Sequence, residues 1–249
     1  MLDNKNITAG FLIIGDEILS GRTQDKNLNY LAINLTEIGI NLKEVRIVLD
    51  IQLDIINAIK DLHTKYDYVF TSGGIGPTHD DITSEAIAIA FNDILIKNID
   101  AENILIKHYG KNNINEARLK MAYLPSKATL LDNPISSAPG FRIKNVFVMA
   151  GIPEIFQAMF IASKKQLPNG NKKISKEIKI NLTESVIAKE FSDLQKQYLD
   201  ITMGSYPFNG GTSLVFRGED IKILDESYNK MLDILNKINN NCIIEKKIT

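Results

Sequence analysis

The chain contains one cysteine, no tryptophan and three histidines in 249 residues. A single thiol, Cys242, excludes an internal disulfide and any multi-cysteine zinc site, and it reads as a buried strand residue. The histidines His63, His79 and His108 are scattered. No His-Glu-x-x-His helix occurs, and no Ser-His-Asp or Cys-His arrangement can be proposed. His63 and His108 read as helix residues without a chemical role, whereas His79 lies inside a glycine turn and is a ligand candidate. No apolar run reaches the ~18–20 residues that span a bilayer. The opening Met1-Leu-Asp-Asn-Lys-Asn6 lacks the basic-then-apolar order of a signal peptide. A formal net charge of −1 gives no general attraction to nucleic acid or to an anionic membrane. Repeats and low-complexity tracts are missing too. A cytoplasmic enzyme or binding protein is therefore expected. The 44% hydrophobic content suits a soluble globular chain, with room for one large domain or a medium and a small one.

Apolar periodicity divides the chain. Ala9–Ile14 reads as a buried strand, and Gly15–Lys26 as a polar loop. Leu28, Leu31, Leu35 and Ile38 repeat at helical spacing, with Gly39 at the C-cap position. A strand over 40–49, a helix over 51–63 and a strand over 67–72 follow. This βαβαβ order, continued by a helix, predicts a mainly parallel sheet covered on both faces, a three-layer α/β/α domain over residues 1–165. Residues 101–123 read as helical, 141–150 as a hairpin, and Glu154–Lys164 as a helix with Pro153 in its first turn. Residues 166–173 have linker composition. Beyond them, β-α-β-β-α-β periodicity over 174–249 predicts a small α+β, ferredoxin-like domain.

One turn carries most of the chemical information. Thr71-Ser-Gly-Gly-Ile-Gly-Pro-Thr-His-Asp-Asp81 links an apolar strand to the helical run Thr83–Ala90. Gly73, Gly74 and Gly76 allow close backbone approach to a ligand and positive φ. A helix N-terminus adds unpaired N–H groups suited to an anion. The motif is not a phosphate-binding P-loop, because no Gly-Lys-Ser/Thr follows, and it is not Gly-x-Gly-x-x-Gly. Asp80 and Asp81 beside phosphates argue for a divalent cation, although one of them, or Thr83, is also a candidate helix cap. Asp16 and Glu17 form a second acidic pair at a strand end. Asp50 is a lone strand-end aspartate for which local sequence favours a structural role, and Ser136-Ser-Ala-Pro-Gly140 suits a pocket wall and a plain turn equally. Gly15–Lys26, Asp50 and Gly73–Asp81 all fall at the C-terminal ends of parallel strands, where such sheets bind ligands.

These residues are recognisable together. Thr71-Ser-Gly-Gly-Ile-Gly-Pro-Thr-x-x-Asp-x-Thr83 resembles the signature of the molybdopterin-binding (MoaB/Mog-like) fold family. Gly15-Asp-Glu-Ile-Leu-Ser-Gly21, Asn27, Asp50, Ala138-Pro-Gly-Phe141 and Gly151-Ile-Pro-Glu154 are similar to its competence/damage-inducible protein A subgroup, as are Thr183-Glu-Ser185 and Met203-Gly-Ser-Tyr-Pro207 in the small domain. The same module resembles the N-terminal part of animal-type FAD synthases. The stretch Met149-Ala-Gly-Ile-Pro-Glu154 departs from that subgroup's usual Leu-Pro-Gly-Pro-Pro-Glu-type turn.

The resemblance implies a homodimer whose glycine turn holds a phosphate. Ser72, Gly73, Gly74, Gly76, Pro77, Thr78, Gly15, Gly21, Asn27, Ser137, Pro139, Gly140, Gly151 and Pro153 are then ligand-binding candidates. Asp81 and Asp50 become catalytic candidates, and Asp16, Glu17, Asp80 and Asp81 metal ligands for Mg²⁺, Mn²⁺ or Co²⁺, with a monovalent cation as an open addition. The implied activity is a metal-dependent pyrophosphatase on ADP-ribose or a related dinucleotide such as FAD. The alternatives are a molybdopterin or nucleotide-binding module without turnover, and a molybdopterin adenylyltransferase. Neither the amidase domain of longer relatives nor a FAD-synthase adenylyltransferase domain falls within these residues, so neither activity is expected of them.

Overall fold

A computed structural model of the chain describes residues 6–248, which divide into two compact units, one up to Gly170 and one from Asn171 onward. The first unit runs β1 (Thr8–Ile14), α1 (Asp16–Leu19), α2 (Asn27–Glu37), β2 (Asn41–Val48), α3 (Gln52–Lys65), β3 (Tyr68–Ser72) and α4 (Thr83–Ala90). It continues with β4 (Leu95–Lys97), α5 (Ile99–Tyr109), α6 (Glu116–Lys120), β5 (Tyr123–Pro125), β6 (Thr129–Leu131), β7 (Gly140–Ile143), β8 (Val146–Met149) and α7 (Pro153–Ser163). Its main sheet has the order β2-β1-β3-β8-β7-β6. The first four strands are parallel and the last two run antiparallel to their neighbours.

Alternation along the central strands makes the three layers. Leu12, Ile14, Val69, Val146 and Val148 bury one face against Ile55, Ile59 and Leu62 of α3, Ala86 and Ile87 of α4, and Leu105 of α5. Phe11, Ile13, Phe70, Phe147 and Met149 bury the other against Leu31 and Leu35 of α2 and Phe156, Met159 and Phe160 of α7. Each of these large side chains contributes about 1.5–3 kcal/mol on leaving water. The expected α/β/α sandwich with a mainly parallel sheet is what forms.

Three segments differ from the sequence reading. The polar loop after β1 contains the one-turn helix α1. The stretch 101–123 is not one helix: Gly110, at φ +80°, ends α5, and Asn115 caps the five-residue α6 by accepting the Arg118 N–H at 2.9 Å. Tyr123–Pro125 is extended and pairs with Leu95–Lys97. The segment expected as a linker begins on the first unit, where Leu167 packs on the core and the Gly170 N–H donates to the Ile38 carbonyl at 2.8 Å.

The second unit runs β9 (Ile174–Ile180), α8 (Glu184–Gln197), β10 (Thr202–Phe208), β11 (Gly211–Gly218), α9 (Ile221–Ile238) and β12 (Ile243–Ile248). Its antiparallel sheet has the order β10-β11-β9-β12, the arrangement expected of a ferredoxin-like unit. Ile178, Ile180, Leu214 and Phe216 pack against Phe191 and Leu194 of α8 and Leu224, Met231 and Leu235 of α9. Cys242 is buried just ahead of β12, and its thiol contacts the Leu235 carbonyl. No helix among the described residues is long and apolar enough to cross a membrane.

Glu44 fastens the edge strand β2 to the end of α3. Its carboxylate accepts from Arg46 Nε at 2.7 Å and from Lys65 Nζ and Tyr66 Oη at 2.6 Å each. Hydrogen bonds from Lys65, Tyr66 and Arg46 hold its pKa down at about 2, against an ordinary 4.5. The folded state thus keeps the charge more readily than the unfolded chain, so the stabilisation is complete above pH 4.5 and fades as pH falls toward about 2. Glu44→Gln is expected to lower stability at neutral pH by about 1–2 kcal/mol. Urea unfolding across the acid range should show the gap between variant and parent closing; a gap that holds constant at acid pH would contradict the assignment.

Candidate functional site

The glycine turn is built by close backbone approach. Gly73 has φ +109°, and a Cβ there would lie 2.1 Å from the Ile14 carbonyl oxygen. Gly74 has φ +69°, and its Cβ would lie 2.0 Å from Thr83 Oγ1. Glycine is required at both positions by conformation and by space. The Gly73 N–H donates to the Met149 carbonyl at 3.1 Å, tying the end of β3 to the end of β8. The Thr83 N–H donates to the Gly74 carbonyl at 3.0 Å and its hydroxyl to the Gly73 carbonyl at 3.1 Å. Thr83 is therefore the first residue of α4, holding the turn rather than capping the helix. Among the described residues, no protein acceptor takes the N–H of Gly74, Ile75 or Gly76. Successive free N–H groups ahead of a helix form an anion-binding concavity.

The segment after the turn is latched by Asp81. Its Oδ2 accepts from the Thr78 N–H at 2.7 Å and the Thr78 hydroxyl at 2.5 Å, and a Cβ on Gly76 would come within 2.7 Å of the same oxygen. Lys120 Nζ donates to the Thr78 carbonyl, which brings the end of α6 onto this loop. The Thr78 hydroxyl and the backbone of Asp80 hold the Asp80 carboxyl below its usual range.

The acidic wall comes from the ends of β1 and β2. The Asp16 N–H donates to Asp50 Oδ2 at 3.0 Å, and the Asp50 N–H donates to Asp16 Oδ1 at 2.9 Å. This reciprocal pair joins the loop after β1 to the loop after β2, so the lone Asp50 is fixed by a partner 34 residues away. Burial pushes the Asp50 carboxyl up; the Asp16 N–H opposes that, while the charges of Asp16, Glu17 and Asp80 reinforce it. Behind the wall, Asn27 Nδ2 donates to Ser72 Oγ at 2.8 Å and to the Gly151 carbonyl at 2.7 Å.

These elements surround one cleft of about 760 Å³, within the range of small-molecule and cofactor sites. Of the residues singled out from sequence, Gly15, Glu17, Asp50, Gly73, Gly74, Gly76, Pro77, Asp80, Asp81, Gly151 and Pro153 line it. Asp16, Asn27, Ser72 and Thr78 stand one step back, holding lining residues by the bonds above. Gly21 lies outside the lining, in a turn at φ +74° with open space around it. Ser137 and Pro139 are also outside: Ser136 and Ala138 face the cleft instead, and the Ser137 N–H closes a turn onto the Asn133 carbonyl at 3.0 Å. Gly140 is a packing residue, because a Cβ there would lie 2.3 Å from both the Val148 carbonyl oxygen and Met159 Cε. His79 is exposed, does not line the cleft, and approaches Asp80 at 3.9 Å.

Sequence reasoning missed Thr23, Tyr109, Arg118, Met121 and Asn133, which complete the lining. Three of these lie in the stretch read as helical, which Gly110 and the asparagines Asn112, Asn113 and Asn115 interrupt. Among the described residues no group of three or more His, Cys, Asp or Glu side chains is arranged to hold a metal ion. The charges of Asp16, Glu17 and Asp80 all act on Asp50 at this wall.

A family model described as a probable molybdopterin binding domain matches residues 10–169. The chain belongs to that family. A second model, the FAD synthase middle domain, matches residues 172–243. An Archaeoglobus fulgidus protein is 31% identical over 228 residues, covering 91% of this chain and 98% of its own length. A probable FAD synthase from Caenorhabditis elegans is 31% identical over 226 residues, and the match takes in 80% of this chain but 44% of that relative. Among solved structures, a CinA protein of unknown function from Thermoplasma acidophilum is similar at 32% identity and a TM-score of 0.62, over 65% of this chain and 99% of its own.

The close packing at Gly74 predicts a graded response. Gly74→Ala adds a Cβ inside Thr83 at a left-handed φ, whereas Gly21→Ala meets the same backbone penalty in open space. Chemical unfolding should give a loss of about 1–3 kcal/mol for Gly74→Ala and a smaller one for Gly21→Ala. Equal losses would mean that the contact with Thr83 does not shape the turn.

Proposed function

We propose that the first unit binds a nucleoside diphosphate ester and hydrolyses its pyrophosphate link, with ADP-ribose and FAD as the leading substrates. The observation that carries this reading is the meeting, in one cleft, of a glycine turn with free N–H groups and a wall of strand-end carboxylates. The first suits a phosphate, and the second suits activation of water beside it. The similarity to a probable FAD synthase supports a nucleotide ligand, and the molybdopterin-binding family description supports a phosphate-bearing one.

In this reading the turn of Gly74–Gly76 fixes one phosphate. Asp50, held by the Asp16 backbone and raised in proton affinity by burial, accepts a proton from the attacking water. The water oxygen bonds to phosphorus, the bond to the bridging oxygen breaks, and two monophosphates leave. Asp81 keeps the loop closed around the phosphate through Thr78. A divalent cation, which Asp16, Glu17, Asp80 and Asp81 would hold, would neutralise charge and acidify the water when bound. Homodimeric assembly belongs to the same proposal and is read directly by light scattering.

The test is AMP release from ADP-ribose and FAD with Mg²⁺, Mn²⁺ or Co²⁺. Asp50→Asn is expected to lower turnover by about 10²–10⁴-fold while nucleotide binding, measured by calorimetry, changes little. Asp81→Ala is expected to lose turnover too, through an unlatched loop. Binding without metal-dependent AMP release would replace hydrolysis with a carrier role for a phosphorylated pterin or nucleotide, the reading that the family description favours.

A further inference from the structure

Arg118 is the one lysine or arginine among the described residues that line the cleft, which also presents Glu17, Asp50, Asp80 and Asp81. Its surroundings are unusual for an arginine among acids. The guanidinium carbon lies 4.1 Å from the centre of the Tyr109 ring, and Nη1 donates to the Asn113 carbonyl. Among the described residues it forms no ion pair with any carboxylate. A guanidinium carries five N–H donors, so most of this fork is unengaged. Stacking on Tyr109 and the bond to Asn113 fix the plane of the fork before any ligand arrives, and the capped α6 fixes its backbone. Lys120, two residues on, ties the same helix to Thr78 of the phosphate loop. Arg118 and the glycine turn therefore belong to one connected wall.

We propose that Arg118 is a specificity-determining residue that grips the second phosphate of a diphosphate, while the glycine turn holds the first. The inference rests on the reading of the cleft as a nucleotide site. A monophosphate on the turn needs only backbone N–H groups. A diphosphate brings further negative charge into a cleft that already presents four carboxylates, and a pre-oriented, unpaired guanidinium compensates it by bidentate bonding. Tyr109, Met121 and Ile75 supply apolar surface in the same cleft for the flat part of the ligand. The chemical class selected is thus a nucleoside diphosphate or its ester over the corresponding monophosphate.

Calorimetry with α,β-methylene-ADP and with AMP separates this inference from hydrolysis, because neither ligand need turn over. The parent protein should bind the diphosphate more tightly. Arg118→Ala should weaken the diphosphate by about 10–100-fold and AMP by less than about threefold, and Arg118→Lys should fall between the two. Equal weakening of both nucleotides, no weakening, or a parent protein that does not prefer the diphosphate would overturn the assignment. An Arg118-dependent preference without hydrolysis of ADP-ribose or FAD would sustain the clamp and remove the pyrophosphatase reading. Hydrolysis whose KM is unchanged in Arg118→Ala would do the reverse.

Discussion

Close approach at Gly73, to the Ile14 backbone, and at Gly74, to the Thr83 side chain, is the constraint on which the first unit's site depends. The absence of two side chains lets the end of β3 lie against the Ile14 carbonyl on one side and Thr83 on the other. Met149 at the end of β8 reaches the same turn by a hydrogen bond. Three parallel strands and the start of α4 thereby converge within a few ångströms, and Gly151 adds a fourth close approach, with its Cβ position 3.3 Å from Gly73 Cα. Glycine takes these positive φ values without steric strain, and the sheet and helices hold each neighbour in place. Such a turn is rigid before a ligand arrives, and rigidity makes its free N–H groups effective.

The electrostatics of the cleft have two sides. On one, oriented N–H groups and Arg118 attract negative charge; on the other, Asp50 is raised by burial and by its acidic neighbours. Reciprocal backbone bonds between Asp16 and Asp50 keep these carboxylates together despite their repulsion. A site of mixed sign does not select for net charge. It selects for a ligand, or a ligand with its cation, that is anionic at one end and able to share a proton or a metal at the other.

Much of this was legible in the sequence, because it is encoded locally. Uniformly apolar runs such as Phe11–Ile14 mark strands buried on both faces, so cover by helices on both sides was readable, whereas the face each residue takes is visible only in the structure. The glycine turn was readable because three glycines in four residues have few other uses. Asp50 was not readable by itself; its partner Asp16 is distant in sequence, and only the parallel pairing of β1 with β2 brings them together. Arg118 was hidden for a different reason. It lies just beyond Gly110, Asn112, Asn113 and Asn115, a cluster of turn and cap residues that the apolar periodicity on either side masks. Ser137 and Gly140 lie outside the cleft lining, where Ser137 closes a turn and Gly140 permits close packing.

The relation between the two residues at the heart of the glycine turn and the wall of acids bears on why one fold serves binding and catalysis alike. Binding of a phosphate requires only that N–H groups be fixed, and Gly73, Gly74 and Thr83 fix them without any titratable group. Chemistry requires a proton acceptor whose affinity is raised but whose position does not drift. Asp50 meets both demands through different contacts, burial raising its affinity and the Asp16 N–H setting its place. In the proposed reading, phosphate capture and water activation rest on separate elements, the end of β3 for one and the end of β2 for the other. Either can change without dismantling its partner, so a carrier and a hydrolase differ by the acid wall rather than by the fold.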